Sequence, residues 1–473
     1  MPAEAQNTLI MKFGGTSVGD SNAFEHVLRI VKRTRNEWSR VIIVTSAMSG
    51  VTNLLLKSAE QAVAGQSHYI HQSANQLREQ HFAVADALLP DLAHNAQVKQ
   101  EIGHLLTELT QLCQAISILG ESTPRALDAV ASLGERMSVR LLSAILDAEG
   151  IPCQLVEANQ LIITDQQYQA AHPNFPLTQL RVRAVLEPIL KLGKIPVVTG
   201  FMAATPEGVI TTLGRGGSDY SAAILGAVLP ANDVWIWTDV DGVMTADPRL
   251  VPEARTIPEL SYREIAELAY YGAKVVHPKT IRPVIEAGIG LRVCNTFNPE
   301  PPGTRIVMER QSQGNGAIKA VTAIRGQSLI TIEGRGMLGV PGVAARTFSA
   351  VAATGTSVPF ITQASSEQSI CFAVPHPEVG SVLASLETAF AAELTRGDID
   401  RIWASPEVTI ITVVGAGMRN TPGIAGRIFS ALGERKVNVI AIAQGSSEVS
   451  ISLVVDANDT EAGVRSIHLL IEE

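Results

Sequence analysis

Two stretches in the C-terminal third of this chain repeat one another at a single offset. Gly334, Gly336, Met337, Gly342, Arg346, Phe348, Ser349 and Ala350 recur as Gly415, Gly417, Met418, Gly423, Arg427, Phe429, Ser430 and Ala431, all 81 residues later without a gap. The same offset pairs residues 361–367 with residues 442–448. A period of this length implies two copies of one β-α-β unit, a duplicated domain rather than turns of a solenoid. In each copy a Gly-rich turn leads into a helix, then a strand carrying Gln363 or Gln444, then a Ser-Ser-Glu turn into a further strand. A duplicated packing module that binds nothing is the plainer alternative, because a fold alone does not specify a ligand.

Ahead of the repeat, short β-rich runs alternate with longer helical stretches. Residues 41–45, 195–199, 234–238 and 291–294 read as buried strands, an alternation that points to an α/β sheet. From about residue 53 to residue 132 the pattern is helical and rich in Ala and Gln, an excursion suited to a lid or a dimer surface. The first domain is expected to end after Pro299-Glu300-Pro301-Pro302-Gly303, and the polar residues 311–316 read as a linker.

A chain of 473 residues at 46% hydrophobic can bury a sizeable core and should hold roughly two to four domains. Its net charge of -9 argues against a dominant nucleic-acid or anionic-membrane surface, which would need clustered Lys and Arg. Cys113, Cys153, Cys294 and Cys371 lie far apart without metal-like spacing, as buried thiols of a reducing compartment would. Residues 1–8 lack the features of a secretory leader, and no apolar run approaches the ~20 residues needed to span a bilayer. A cytoplasmic location is the expectation.

Four motifs carry chemistry. The first, Lys12-Phe13-Gly14-Gly15-Thr16-Ser17, follows an apolar run close to the amino terminus. Two glycines leaving a strand let backbone N–H groups converge on an anion, a following helix adds its positive end, and Lys12 supplies a point charge. The spacing is neither that of a P-loop nor that of a dinucleotide fingerprint, and an ordinary Gly-Gly turn is the bland reading. The second, Gly214-Arg215-Gly216-Gly217-Ser218-Asp219, is another Gly-rich strand-to-helix turn. An Arg fork there pairs with a carboxylate in bidentate fashion, and an acid can hold neighbouring lysines; a solvated Arg215–Asp219 pair is the alternative. The third, Trp237-Thr238-Asp239-Val240-Asp241-Gly242, with Asp247-Pro248-Arg249 beyond it, places carboxylates and a hydroxyl where open α/β sheets hold nucleotides. The fourth, Tyr271-Gly272-Ala273-Lys274-Val275-Val276-His277-Pro278, presents a second lysine.

These motifs, with Ser46-Ala47, Val51-Thr52-Asn53 and Gly134-Glu135-Arg136, stand in the order of one family. Over essentially its whole length the chain resembles the aspartate kinases of the amino-acid kinase fold. The resemblance implies an α/β catalytic domain, a mainly parallel sheet with helices on both faces, followed by two α+β ACT (βαββαβ) regulatory domains. The limits implied are a catalytic domain over 1–310, a linker over 311–317, a first ACT domain over 327–400, and a second made of 318–326 plus 407–473. It implies ATP with Mg²⁺ held near Lys12, Phe13, Gly14, Gly15, Thr238, Asp239, Met244, Arg249, Lys274 and Val275. Met244 stands where relatives commonly carry a tyrosine, and a methionine still supplies apolar contact. L-aspartate is implied at Ser46, Thr52, Glu135, Arg215, Gly216, Gly217 and Ser218, with Lys12 and Lys274 on the phosphates and Asp219 orienting the lysines. No side-chain metal ligand is assigned.

The Gln-bearing segment around Gln363 looks more like threonine-responsive relatives than lysine-responsive ones. An effector site is expected near Val340, Gln363, Met418, Asn438 and Gln444, at modules that pair across a homodimer or larger homo-oligomer. Some relatives are fused to a homoserine dehydrogenase, and this chain resembles a stand-alone enzyme. The chemistry implied is transfer of the γ-phosphoryl group to a carboxylate that is already ionised near neutral pH, with a pKa near ~4, so no general base is needed. A kinase of the same fold acting on glutamate, N-acetylglutamate or carbamate is one rival, and a non-catalytic sensor is the other.

Overall fold

A computed structural model describes residues 7–471 other than 230, 271–275, 277, 309–317, 338–339, 364–367, 419–420 and 446–447. The chain divides into two compact units. One comprises Met1–Val243, Pro258–Tyr262 and Val275–Met308, the other Met244–Ile257, Arg263–Lys274 and Glu309–Glu473.

The first unit opens with β1 (Thr8–Phe13), α1 (Ser21–Glu37) and β2 (Arg40–Thr45), then runs through four helices, α2 (Val51–Val63), α3 (Ser67–Leu88), α4 (Leu92–Leu119) and α5 (Pro124–Ala148). It returns as β3 (Cys153–Val156), α6 (Phe175–Lys191), β4 (Ile195–Thr199), β5 (Met202–Ala204), β6 (Ile210–Thr212), α7 (Gly217–Val228) and β7 (Asp233–Thr238). Beyond β8 (Glu259–Ser261) the chain passes through α8 (Tyr262–Tyr270), all but whose first residue belongs to the second unit, and α9 (Pro278–Ala287), β9 (Gly290–Asn295) and β10 (Thr304–Val307) complete the first. Eight strands form one sheet in the order β3-β4-β2-β1-β7-β9-β10-β8, parallel throughout except for the β9–β10 pair. Parallel central strands are covered on both faces and so read as continuous apolar runs, as β1 does with all six residues buried. Leu9, Met11 and Phe13 share a core with the α2–α5 bundle, whereas Ile10 approaches Gly226 of α7 on the opposite face. The strand β10 extends the sheet past the Pro-rich turn at 299–303 and stays within the expected limit of 310. It does so because Arg305 and Ile306 find backbone partners in both β8 and β9.

The second unit carries the repeat as β11 (Ala320–Glu333), α10 (Val343–Ala353), β12 (Phe360–Gln363), β13 (Ser369–Pro375), α11 (Val379–Ala389), α12 (Ala391–Arg396), β14 (Arg401–Val414), α13 (Ile424–Glu434), β15 (Ala441–Gln444), β16 (Ser450–Asp456) and α14 (Thr460–His468). The helices α10 and α13, the strands β12 and β15, and the strands β13 and β16 each begin 81 residues apart, the offset of the sequence repeat. Both repeat helices start on a glycine at φ +90°, Gly342 and Gly423, where a side chain would be strained. One six-stranded sheet, β12-β13-β11-β14-β16-β15, joins the two copies through the long antiparallel pair β11–β14. Residues 320–324 of β11 face residues 410–414 of β14, and residues 327–333 pair with β13.

Two segments that precede the repeat in sequence cluster with it. Ala246 and Val251 share a core with Ile318, Val321, Ile424 and Ile467, and Val321 N donates to the Thr245 carbonyl at 2.8 Å. Glu264 and Glu267 of α8 accept from Ala416 N and Ser450 Oγ, each at 2.8 Å. The structural division therefore interrupts the uninterrupted 1–310 stretch expected from sequence, because burial of these apolar residues in the second core outweighs their place in the chain. The expected linker, 311–317, lies outside the described residues.

Candidate active site

The strands β1, β2, β4 and β7 are parallel neighbours, so their C-terminal ends share one edge of the sheet, with Phe13 opposite Thr45 and Trp237, and Thr45 opposite Thr199. The chain leaving each strand is tied to its neighbour. Gly14 N donates to the Trp237 carbonyl at 3.0 Å, Ser46 N to the Phe13 carbonyl at 3.0 Å and Gly200 N to the Thr45 carbonyl at 2.8 Å. A Cβ at Gly15 would sit 3.0 Å from the Ala47 carbonyl oxygen, so the second glycine is required by close backbone approach. The ring of Phe13 is buried and stacks on Trp237 with centroids 6.1 Å apart, which leaves its backbone as the part available to a ligand.

Three ionisable side chains converge on this edge. Lys12 Nζ lies 2.5 Å from Asp219 Oδ1, and both side chains are largely withdrawn from solvent. Asp219 therefore pairs with Lys12, not with Arg215. Glu135 projects from α5 with one oxygen, Oε1, accepting from Ala47 N at 3.2 Å, while its buried Oε2 has no hydrogen-bond partner among the described residues. Burial pushes the Glu135 carboxyl up to about 8, against the Ala47 hydrogen bond and the nearby charge of Lys12, which pull it down. Helix α5 reaches this position because Gly134 packs on the β2–α2 turn, where a Cβ would come within 2.8 Å of Ala47 Cβ.

The loop before α7 supplies a donor-rich concavity. Gly214 and Gly216 both have positive φ, +75° and +71°, and Gly216 caps α7 without a side-chain acceptor; Gly217 N turns back to the Gly214 carbonyl at 2.9 Å, which leaves the Ser218 and Asp219 N–H groups to face an anion among the described residues. Arg215 is exposed, with no ion-pair or hydrogen-bond partner among the described residues. Ser218 is buried against Gly200, and Gly217 against Phe201. Helix α2 likewise starts on an uncapped positive-φ glycine, Gly50, with Thr52 half-buried in its first turn; Ser46 is half-buried just beyond β2.

On the β7 side, Thr238 Oγ1 donates to Asp239 Oδ1 at 3.1 Å, and Asp239 is exposed. Met244 and Arg249 belong to the second unit, where Met244 Sδ accepts from Thr256 Oγ1 at 3.5 Å and the Arg249 fork is occupied by Asp247, the nearest contact at 2.6 Å. Lys274 and Val275 lie outside the described residues. Of the residues expected near an effector, Gln363 and Gln444 are exposed at the ends of the edge strands β12 and β15, and Val340 and Asn438 are also exposed. Met418 instead packs into the core with Ile424 and Ile428, so it holds the Gly-rich turn rather than facing a ligand.

Two contributions escape the sequence reading. Gly200 must be a glycine, since a Cβ there would come 2.5 Å from Ser218 Cβ; the signal was its place directly after a buried strand. The Ser17 Oγ–Thr296 Oγ1 hydrogen bond, 2.7 Å, ties the turn after β1 to the end of β9 and has no sequence signature.

The Amino acid kinase family model matches residues 7–295, and an ACT domain model matches residues 330–390 and 411–469. The chain belongs to the amino acid kinase family. Within that family it is similar to the aspartokinases. It is 37% identical over 469 residues to a chloroplastic bifunctional aspartokinase/homoserine dehydrogenase 2 of Arabidopsis thaliana, covering 97% of this chain and 50% of that one. It is 31% identical over 490 residues to an aspartokinase of Schizosaccharomyces pombe, covering 97% and 92%. The structure of E. coli aspartokinase III in complex with aspartate and ADP superposes with a TM-score of 0.81 at 28% identity, covering 99% of this chain and 100% of the other. This family member spans about half the length of the bifunctional relatives it matches. Its C-terminal repeat is accordingly a pair of ACT domains.

Proposed function

We propose that this protein phosphorylates the side-chain carboxylate of L-aspartate with ATP, giving 4-phospho-L-aspartate, the first step toward lysine, threonine and methionine. The observation that carries the reading is the convergence of the Lys12–Asp219 pair, the half-partnered Glu135 and the open Gly214–Ser218 loop on one parallel sheet edge. The substrate's α-ammonium suits Glu135 Oε2, a buried acceptor lacking a donor, and its α-carboxylate suits the Arg215 fork. The β-carboxylate needs no base, because it is ionised at neutral pH. Catalysis then consists of placing it in line with the γ-phosphate and neutralising charge on the transferred group. Lys12, held in place by Asp219, supplies a cation where that charge spreads, and the backbone N–H groups of the Gly14–Gly15 turn add to it.

The donor set suits Mg²⁺ that arrives with the nucleotide. Among the described residues no group of three or more His, Cys, Asp and Glu side chains could hold a metal ion, and Mg²⁺ commonly relies on phosphates, waters and one or two carboxylates. Asp239, exposed beyond β7, is the side chain suited to hold it, and the ion would offset phosphate charge. A coupled assay with aspartate, glutamate, N-acetylglutamate and carbamate tests the reading: turnover should require aspartate, and preference for another acceptor would overturn it.

Threonine is the effector this reading favours, bound at the ACT domains of a homodimer or larger assembly. Gln363 and Gln444 support it, each an exposed amide at the end of an edge strand, able to donate to a carboxylate or accept from an ammonium or hydroxyl. Ile361 and Ile442, exposed on the same strands, suit a subunit contact. Gln363→Ala or Gln444→Ala should keep uninhibited activity while the threonine inhibition curve moves to higher concentration. Inhibition of the wild type by lysine and not by threonine would overturn the effector and leave the kinase reading standing.

A further inference from the structure

Helix α5 carries a second buried carboxylate, two helical turns before Glu135 and so on nearly the same face, about 10 Å along the axis. Asp128 is 1% exposed, with no cation among its hydrogen-bond partners in the described residues. Its oxygens are all taken by two backbone segments. Gln169 N donates to Oδ1 and Oδ2 at 3.1 and 3.0 Å, Thr212 N donates to Oδ2 at 3.0 Å, and Thr212 Oγ1 donates to Oδ1 at 2.7 Å.

Those two segments are the walls of the Arg215 loop. Thr212 ends β6, two residues before Gly214, and Ala171 N donates to the Thr212 carbonyl at 2.9 Å. Gln169 adopts φ +69°, a left-handed conformation uncommon for a side-chain-bearing residue, and its carbonyl oxygen would lie 2.7 Å from a Cβ at Gly214. The strained residue and the glycine it confronts are thus both set by one carboxylate. We infer that Asp128 is a positioning residue for aspartate binding: it fixes the Gln169 and Thr212 backbones so that the Gly214–Ser218 loop presents Arg215 and the open N-terminus of α7 at a set distance from Glu135 on the same helix. The inference rests on the reading of the site as an aspartate kinase and assigns one helix to both ends of the amino-acid substrate, Glu135 directly and Arg215 through the clamp. A carboxylate suits the task because every group facing it is a donor. An amide would turn an N–H toward one of those donors and displace the loop, and displacements of about 1 Å in a binding constellation cost up to ~100-fold.

The test is steady-state kinetics of the full chain with aspartate and ATP varied separately. Asp128→Asn should raise the aspartate KM about 10- to 100-fold while the ATP KM stays within about twofold, the signature of lost substrate positioning. Thr212→Val, which keeps the shape of the strand residue and removes its hydroxyl, should raise the aspartate KM several-fold; Thr212→Ser, which restores the hydroxyl, should stay close to wild type. The Thr212 pair decides the matter should Asp128→Asn not fold. An aspartate KM equal in Thr212→Val and Thr212→Ser, or a folded Asp128→Asn with lowered thermal stability and unchanged aspartate KM, would make Asp128 a structural tie only and overturn the inference. A wild-type protein that turns over ATP without aspartate dependence would instead overturn the kinase reading on which it rests.

Discussion

Asp219 Oδ1 sits 2.5 Å from Lys12 Nζ, joining the first turn of α7 to the end of β1. The pair is mostly buried, so each side chain holds the other in one position. The lysine is thereby fixed beside the Gly14–Gly15 turn before any nucleotide arrives, which lowers the reorganisation needed when charge builds on a phosphoryl group.

Lys12→Ala should therefore lower kcat by about 10²- to 10³-fold with a smaller effect on the aspartate KM, because its charge acts most strongly in the transition state. Asp219→Asn should fall in the same direction by less, since the lysine remains but is no longer held. A folded Lys12→Ala protein with wild-type kcat would remove Lys12 from the chemistry.

Arg215→Lys should behave as a loss. A lysine replaces two parallel N–H donors by one mobile ammonium, and the expected effect is a rise of about tenfold or more in the aspartate Kd with nucleotide affinity kept. Calorimetric titration with each substrate separates the two. Unchanged aspartate affinity with weakened ATP binding would move Arg215 to the nucleotide side.

Glu135 should leave a mark on stability as pH changes. Its carboxyl is raised to about 8 in the fold against an ordinary 4.5, so between those values the native state binds more protons than the unfolded chain. Stability then falls as pH rises through that window. Glu135→Gln, which cannot ionise, should flatten this slope in the ligand-free protein and sharply weaken aspartate binding. Melting temperatures at pH 5.5 and 8.5 for both proteins, and a binding titration, provide the comparison; an equal slope in the two proteins would count against a strongly raised carboxyl.

His81 should work in the opposite direction. It is buried in α3 with Nδ1 on the Leu77 carbonyl at 2.7 Å and Nε2 without a partner among the described residues, and burial lowers its pKa to about 4 from 6.5. Between those values the unfolded chain binds the extra proton, so stability is lost as pH falls. His81→Gln should lessen the loss in urea-unfolding midpoint between pH 7 and pH 4.5. The Glu135 and His81 windows overlap, which makes the single variants, rather than the wild-type curve alone, the informative measurement.

The 81-residue repeat was written in the sequence, and the helices and strands of the second unit recur at that spacing because like residues at like spacing meet the same packing problem twice. The central strands were equally legible, since a parallel strand buried on both faces leaves an unbroken apolar run such as 195–199. The glycines at 14, 15, 214 and 216 marked the turns, because only close approach or positive φ makes such clusters worthwhile. What composition and periodicity left invisible were the pairings between distant segments. The resemblance set Asp219 among the lysines, but that it takes Lys12 rather than Arg215 of its own loop is decided by where β1 and α7 come together in space. Asp128 looked like any helical carboxylate until Gln169 and Thr212 were placed against it. Periodicity likewise marks Ala246 and Val251 as apolar without saying which core receives them, and their burial with Ile318, Val321 and Ile467 was decided by the tertiary fold. The physical reason is common to these cases: local pattern encodes how much a residue wants to leave water or complete a hydrogen bond, whereas the identity of its partner is set by chain topology.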